Sequence, residues 1–170
     1  MKTLYLLRHA KAAPDSPKGD AARPLLKRGR KAAAAMGELL GGLEARPELI
    51  LCSPSVRTRE TLDLVLPALD PAPDIAIENE LYLAPAAALL DRLRRVPDKT
   101  GCVLLIGHNP GIHELAARLA TDDEELRQNF PTAALAALAV RGAWSELHWH
   151  EAALSFLRTP KDLKSDRDDA

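Results

Sequence analysis

The feature that most constrains the fold is a short apolar run without alternation, Cys102-Val103-Leu104-Leu105-Ile106. A strand buried on both faces carries such a run, and strands of this kind belong to parallel sheets covered by helices on both sides. Residues 3–7 and 48–52 form two further short apolar strands. Because these strands alternate with helical patterns, the sequence predicts one α/β domain of three layers, α/β/α, around a mostly parallel central sheet.

The predicted helices begin at capping signals. Ser53-Pro54 predicts an N-cap followed by a proline at the first helical position, with a helix to about Leu69. Asn109-Pro110 repeats this pattern and predicts a helix to about Leu119. The remaining predicted elements are helices over residues 29–43 and 85–96, a short strand over 75–77, and two closing strands over 132–140 and 144–150.

Length and charge exclude several classes of protein. The chain has 170 residues, which predicts a single domain over residues 1–157, followed by a charged tail over 158–170 that is expected to fray. Its 23 Lys and Arg against 24 Asp and Glu lack the basic excess of a nucleic-acid binder, so no nucleic-acid partner is expected. No apolar run approaches the ~18 residues of a membrane span, so we expect no membrane association and a cytoplasmic location.

Unusual residues follow three of the predicted strands. Arg8 and His9 come directly after the first strand, Arg57 lies in the turn after the second, and His108 follows the strand that ends at Gly107. Ligands of open α/β sheets bind outside the carboxyl ends of the strands, so these side chains can converge on one crevice. Guanidinium groups match phosphate geometry, and a histidine among them is a candidate nucleophile toward phosphorus.

Simpler interpretations exist for single residues. Arg8-His9 alone would be read as a charge pair at a strand end, and only its combination with Arg57 and His108 favours a functional site. The pair His148 and His150 shares one face of the last predicted strand. Without a third ligand nearby, a solvated face is the better interpretation than a metal site. The sequence therefore predicts neither a metal nor a cofactor.

Three segments together carry a family pattern: Leu7-Arg8-His9-Ala10-Lys11-Ala12, Ser53-Pro54-Ser55-Val56-Arg57-Thr58-Arg59-Glu60-Thr61 and Gly107-His108-Asn109-Pro110-Gly111. In this order and spacing they resemble the histidine phosphatase superfamily, and the resemblance implies a phosphoglycerate mutase-like fold. The small size, with Arg23-Pro24-Leu25 followed by Gly29, resembles the SixA-type phosphohistidine phosphatases. Ala10 departs from the family glycine, and Leu26 replaces a polar residue before the first helix. Neither departure removes a catalytic group.

The resemblance implies a role for each matching residue. His9 would attack the phosphoryl group and become phosphohistidine, and water would then release phosphate. Arg8, Arg57 and His108 would surround and bind the phosphoryl oxygens. Phosphoryl transfer requires mainly in-line positioning and positive charge around these oxygens, and arginines supply that charge without a metal. Neighbouring cations also keep the attacking imidazole neutral.

The general acid is less well defined by the sequence. Glu80 follows the short strand over 75–77 and is the best candidate by position, with Glu78 as a fallback and Asp15 as a remote alternative. An imidazole leaving group needs a general acid less than an alkoxide does, so a phosphatase of this branch can work with a weak acid.

These residues lead to three hypotheses about function. The leading one is a metal-independent phosphatase that forms a phosphohistidine intermediate and acts on protein phosphohistidine, for example on a histidine phosphotransfer domain. It rests on the short chain, which has no room for insertions that would wall the pocket. The second is a small-molecule phosphomonoesterase or a phosphoglycerate mutase-type enzyme. The third is a phosphate-binding scaffold protein, which would not need all of Arg8, His9, Arg57 and His108.

Overall fold

The computed structural model describes residues 1–121 and 123–168, and one six-stranded sheet runs through them. The strands lie in the order β3-β2-β4-β1-β5-β6. They are β1 (Lys2–Arg8), β2 (Leu49–Cys52), β3 (Asp74–Ile77), β4 (Cys102–Gly107), β5 (Leu135–Val140) and β6 (Ala152–Arg158). The helices are α1 (Lys27–Gly42), α2 (Val56–Val65), α3 (Ala86–Arg94), α4 (Gly111–Leu119), α5 (Glu124–Gln128) and α6 (Pro160–Asp168).

The strand pairing confirms the predicted mostly parallel sheet. β4 pairs in parallel with both β1 and β2, β2 pairs in parallel with β3, and β5 is antiparallel to β1 and to β6. In the register, Arg8 lies opposite Gly107 and Cys52 lies opposite Ile106. The carboxyl ends of β1, β4 and β2 therefore lie side by side.

Alternate side chains of β1 face two separate hydrophobic cores. Leu4 and Leu6 pack in a core that also contains the apolar faces of α3 and α4. Tyr5 and Leu7 pack in a second core with α1 and α2. A strand with period-two side chains that are buried on both sides requires helices on both faces of the sheet. The predicted three layers are confirmed.

The second closing strand was predicted in the wrong place. Residues 144–150 do not form a strand: Trp144–Glu146 is a 3-10 turn, and the edge strand is Ala152–Arg158. Trp144 is fully buried and donates from Nε1 to the Thr100 carbonyl oxygen at 2.7 Å. The tryptophan thus anchors a turn by packing and one hydrogen bond, and His148 and His150 do not share a strand face.

Two helix starts also differ from the prediction. Ser55, not Ser53, caps α2, because its Oγ accepts from the Thr58 backbone N–H. The helix after Asn109-Pro110 begins at Gly111, and Asn109 donates from Nδ2 to the Phe130 carbonyl oxygen instead of capping it. Ser53 and Asn109, which follow the ends of β2 and β4, therefore do not cap helices and can make other contacts.

The segment after Arg158 was expected to fray, and the structure describes a helix there, Pro160–Asp168. Asp162 accepts hydrogen bonds from the backbone and hydroxyl of Thr159, and Leu163 packs against the core around α1. Residues 169 and 170 of the predicted tail lie outside the described residues. Within the described ranges, no helix is long and apolar enough to cross a membrane.

Candidate active site

Arg8 and His9 are held at the end of β1 by backbone hydrogen bonds. The His9 N–H donates to the Gly107 carbonyl oxygen at 3.1 Å, which ties it to the end of β4. The Ala133 N–H donates to the His9 carbonyl oxygen at 3.0 Å, and the Ala10 N–H donates to Thr61 Oγ1 at 3.0 Å. The nucleophile predicted from the sequence therefore stands on a backbone that is fixed on both sides.

The ring of His9 has a defined tautomer. Its Nδ1 lies 2.8 Å from the carbonyl oxygen of Ala10, and a carbonyl oxygen can only accept. The Nδ1 atom therefore carries the proton, and the lone pair of the neutral ring is on Nε2. The side chain is only 6% exposed, so this lone pair lies in a largely desolvated crevice.

His108 lies beside His9, with 5.4 Å between the ring centroids. Its Nε2 is 2.6 Å from Ser53 Oγ, the hydroxyl that the sequence predicts as a helix cap. Its Nδ1 is buried, and among the described residues it has no hydrogen-bond partner. The structure thus leaves one ring nitrogen of His108 available to a ligand.

The two site arginines are anchored through their Nη atoms. Arg8 donates from Nη1 to the Phe130 carbonyl oxygen at 3.2 Å. Arg57, which is 3% exposed, donates from Nη1 to the Asp20 carbonyl oxygen at 2.8 Å and from Nη2 to Asp20 Oδ2 at 3.0 Å. The Nε atoms of both arginines are buried and find no partner among the described residues. Buried N–H groups without partners are costly, so these atoms indicate a site for an oxygen-rich ligand.

Burial and positive charge keep both histidines neutral. Burial is the largest cause that lowers the pKa of His9 from 6.5 to about 4, and the charges of Arg57 and Arg8 lower it further. Burial, then the charge of Arg57, lowers the pKa of His108 to about 3. At neutral pH His9 thus offers a lone pair, which a nucleophile requires. Burial also lowers the pKa of Arg8.

Two residues of the site were missed by the sequence reasoning. Asp20 lies in the 3-10 turn Asp20–Ala22, binds Arg57, and also pairs with Arg23 Nη1 at 2.9 Å. Tyr82 donates its hydroxyl to Asp20 and packs edge-on against His108, with ring centroids 5.5 Å apart. The only sequence signal for Asp20 was its spacing of three residues from Arg23, which is common in loops.

Glu80 lies apart from these contacts. The structure puts it in the 3-10 turn Asn79–Leu81, where its carboxylate is 2.5 Å from Arg95 Nη2 and 3.7 Å from Arg92 Nε. The fallback Glu78 also pairs with Arg92, at 2.6 Å. Both carboxylates therefore pair with arginines at the end of α3. Of the catalytic residues predicted from the sequence, the structure brings four together, Arg8, His9, Arg57 and His108, and pairs Glu80 with other residues.

The arrangement can bind and transfer a phosphoryl group. Three buried nitrogens, Nε of Arg8, Nε of Arg57 and Nδ1 of His108, can meet anionic oxygens, and Nε2 of His9 can reach the central atom. Among the described residues, no three His, Cys, Asp or Glu side chains form a group that could hold a metal ion.

Comparison with known sequences identifies a family and several relatives. The model of the histidine phosphatase superfamily (branch 1) matches residues 4–82. The uncharacterised protein Rv1276c of Mycobacterium tuberculosis is 36% identical over 163 residues, which cover 91% of this chain and 100% of the relative. An uncharacterised protein of Mycobacterium leprae is 28% identical, again over 91% of this chain and 100% of the relative.

Solved structures share the whole fold. A protein of Nakamurella multipartitia assigned as a phosphohistidine phosphatase SixA has a TM-score of 0.84 and 30% identity, over 94% of this chain and 96% of that one. A protein of Agrobacterium tumefaciens with the same assignment has a TM-score of 0.78 and 30% identity, over 94% and 98%. The protein histidine phosphatase SixA in complex with tungstate has a TM-score of 0.81 at 24% identity, over 95% and 99%. The predicted phosphoglycerate mutase-like fold is confirmed.

Proposed function

Because this chain belongs to branch 1 of the histidine phosphatase superfamily, we propose that it is a metal-independent phosphatase that works through a phosphohistidine intermediate on His9. The observation that carries this proposal is the hydrogen bond from His9 Nδ1 to the Ala10 carbonyl oxygen. It leaves a neutral Nε2 lone pair among the unpaired nitrogens of Arg8, Arg57 and His108. Neutral imidazole surrounded by cationic donors is what attack on a phosphoryl group requires.

In the first step, His9 Nε2 forms a bond to phosphorus while the bond from phosphorus to the leaving atom of the substrate breaks. The leaving atom takes a proton from solvent. Charge on the equatorial oxygens is stabilised by Nε–H of Arg8, Nε–H of Arg57 and the free ring nitrogen of His108. Such preorganised donors lower the barrier because they need not reorient during the reaction.

In the second step, a water molecule attacks phosphorus and the bond from phosphorus to His9 Nε2 breaks. The water releases its proton to solvent, and inorganic phosphate leaves. His9 returns to its neutral tautomer, because Nδ1 keeps its proton on the Ala10 carbonyl oxygen throughout. The low pKa of His9, about 4, favours this return at neutral pH.

We extend the proposal to protein phosphohistidine as the substrate. The supporting observation is the position of Glu80, whose carboxylate pairs with Arg95 and Arg92. Without a committed carboxylic acid beside the leaving group, a substrate whose leaving nitrogen accepts a proton from solvent is favoured over an alkyl ester. Likeness over nearly the full length to structures assigned as phosphohistidine phosphatases supports the same class.

The partner that fits this substrate class is a phosphorylated protein, for example a histidine phosphotransfer domain. A cytoplasmic location remains the expectation from the sequence. A small-molecule phosphomonoesterase or a mutase would require a committed proton donor, and the salt bridges of Glu80 argue against one at that residue.

A panel of substrates tests the proposal. Phosphate release is measured from a phosphohistidine protein, a phosphoserine peptide, an aryl phosphate and an alkyl phosphate, with His9→Ala as the blank. We expect rapid release from phosphohistidine, slower release from the aryl ester and little from the other two. Equal rates on all four would contradict the substrate class, and no release above the blank from any of them would contradict the phosphatase itself.

A further inference from the structure

We infer that Asp20 is a positioning residue, which holds the guanidinium of Arg57 so that its Nε–H edge faces the reacting phosphoryl group. The inference rests on the proposed function, because it assigns Arg57 to phosphoryl binding. Asp20 itself would touch neither the phosphorus nor the leaving atom, and it would act only through Arg57.

The two hydrogen bonds that Arg57 donates to Asp20 both come from its Nη atoms. Asp20 takes both Nη atoms, Nη1 with its carbonyl oxygen at 2.8 Å and Nη2 with Oδ2 at 3.0 Å. The Nε atom remains buried without a partner among the described residues. Because a guanidinium is planar and rigid, fixing both Nη atoms fixes the direction of Nε–H as well.

The free edge lies near the reacting groups. Arg57 Nη2 and the Tyr82 hydroxyl both donate to Oδ2 of Asp20, and the Tyr82 ring packs edge-on against His108 with 5.5 Å between the ring centroids. The effect of the Arg57 charge, which lowers the pKa of both His9 and His108, agrees with this position. The Nε of Arg8 is also unpaired and buried at this end of the sheet. An anion that enters the crevice would thus meet the unpaired Nε–H of Arg57, while Asp20 occupies its Nη atoms.

Asp20 is itself held from several directions. Arg23 Nη1 pairs with its Oδ1 at 2.9 Å, and the Tyr82 hydroxyl donates to its Oδ2. The turn that carries it starts after Gly19, whose φ of +97° is accessible to glycine at little cost. The hydrogen bond from Tyr82, then that from Arg23, holds the pKa of Asp20 well below its usual range, so the residue stays a carboxylate.

A carboxylate at this position has a clear energetic reason. Arg57 is 3% exposed, and a buried cation without a paired anion is strongly destabilised. A different role for Asp20 would be competition, in which its carboxylate blocks the anion site and must be displaced. When the carboxylate is removed, the positioning role predicts weaker binding of an anion and the competing role predicts tighter binding. One substitution therefore separates the two roles.

The test is Asp20→Asn, which keeps the size of the side chain and the backbone carbonyl oxygen that binds Arg57. The dissociation constant of vanadate is measured by calorimetry, and kcat and KM are measured with an aryl phosphate. We expect vanadate binding to weaken about tenfold and kcat to fall on the order of 10- to 100-fold, with a small change in KM. Tighter vanadate binding or an unchanged kcat would overturn the inference.

The matched control is Asp91→Asn, because Asp91 also forms an exposed i,i+3 pair with an arginine, Arg94, but on α3. It should change neither vanadate binding nor kcat. In a double-mutant cycle, Asp20→Asn should have no further effect once Arg57→Ala is present. An equal additional loss in that background would mean that Asp20 acts independently of Arg57, which would also overturn the inference.

Two further measurements keep the test decisive. Tyr82→Phe removes only the hydroxyl that donates to Asp20, and it should weaken vanadate binding two- to threefold. If Asp20→Asn does not fold, an unchanged affinity for vanadate in Tyr82→Phe overturns the inference.

The ¹H–¹⁵N signal of Arg57 Nε should be sharp and slow to exchange in the unsubstituted protein and broadened in Asp20→Asn. This signal does not depend on turnover, so failure of the phosphatase assay would leave the positioning role separately testable.

Discussion

The hydroxyl of Ser53 lies 2.6 Å from Nε2 of His108, and both residues are buried at the ends of adjacent strands. If Ser53 donates to Nε2, the ring carries its proton on Nδ1, the nitrogen that has no partner among the described residues. Only that tautomer can donate to a phosphoryl oxygen, because a lone pair on Nδ1 would repel it. The role of His108 in binding a phosphoryl oxygen therefore requires Ser53 to be the donor in this pair.

The first prediction follows from this contact. Ser53→Ala should lower kcat/KM for an aryl phosphate about tenfold, since His108 then occupies both neutral tautomers. ¹⁵N NMR of the histidine ring measures the tautomer directly, and we expect the Nδ1–H form to dominate before substitution and to lose that dominance afterwards. A dominant Nε2–H form in the unsubstituted protein would contradict the assignment.

The second prediction concerns the nucleophile. Brief incubation with a phosphorylated substrate, followed by quenching, should trap phosphate on Nε2 of His9 in a linkage that is labile to acid and stable to base. Nε2 is expected because Nδ1 is bound to the Ala10 carbonyl oxygen. Peptide mapping by mass spectrometry identifies the phosphorylated residue. Phosphate on Cys52 or Ser53 would show that the nucleophile is misassigned.

The third prediction concerns the charge of Arg57. Arg57→Ala should lower kcat on the order of 10² to 10³, as the loss of one preorganised electrostatic group does in other enzymes. Arg59→Ala is the control, because Arg59 lies two residues further along α2 and is exposed. Circular dichroism should show both variants folded. Equal activity of the two variants would exclude Arg57 from the reaction.

The fourth prediction is a pH dependence of stability. The folded protein lowers the pKa of His9 from 6.5 to about 4, so between these values the unfolded chain binds more protons than the folded one. Stability from this residue is fully present above pH 6.5 and is lost as the pH falls toward 4, by on the order of 3 kcal/mol.

Urea unfolding of the unsubstituted protein and of His9→Gln between pH 7 and pH 4 measures this effect. The substituted protein should lose less stability over that range. His150→Gln replaces an exposed histidine and should behave like the unsubstituted protein. Parallel pH curves for all three proteins would rule out a buried neutral His9.

The fifth prediction separates the roles open to Glu80. Because Arg95 and Arg92 hold its carboxylate, Glu80→Gln should change the rate on phosphohistidine less than threefold. The rate on alkyl phosphates should change as little, since a carboxylate held in these salt bridges donates no proton to the leaving alkoxide. Loss of activity on every substrate in this variant would identify Glu80 as a committed general acid.

The sequence alone was enough to locate the parallel strands β1 to β4 and the residues that follow them, whereas the edge strand β6 was predicted too early in the chain. A run such as Cys102-Val103-Leu104-Leu105-Ile106 is stable only when both of its faces are covered, and this requirement fixes the layers around β4. His9 and His108 stand directly after strands, so their place at one edge follows from parallel pairing. For the same reason Arg57, in the first turn after β2, was expected at this edge.

Contacts between segments distant in the chain were decided only by the tertiary structure. Asp20 and Tyr82 are 62 residues apart, and nothing local to either one indicates that they meet at Arg57. Ser53 satisfies the local pattern of a helix cap, yet the packing of β2 beside β4 brings it to His108. Hydrogen bonds have short range, so the partner of a polar side chain depends on which segments the folded sheet brings together. The hydrophobic periodicity of the sequence does not indicate these partners.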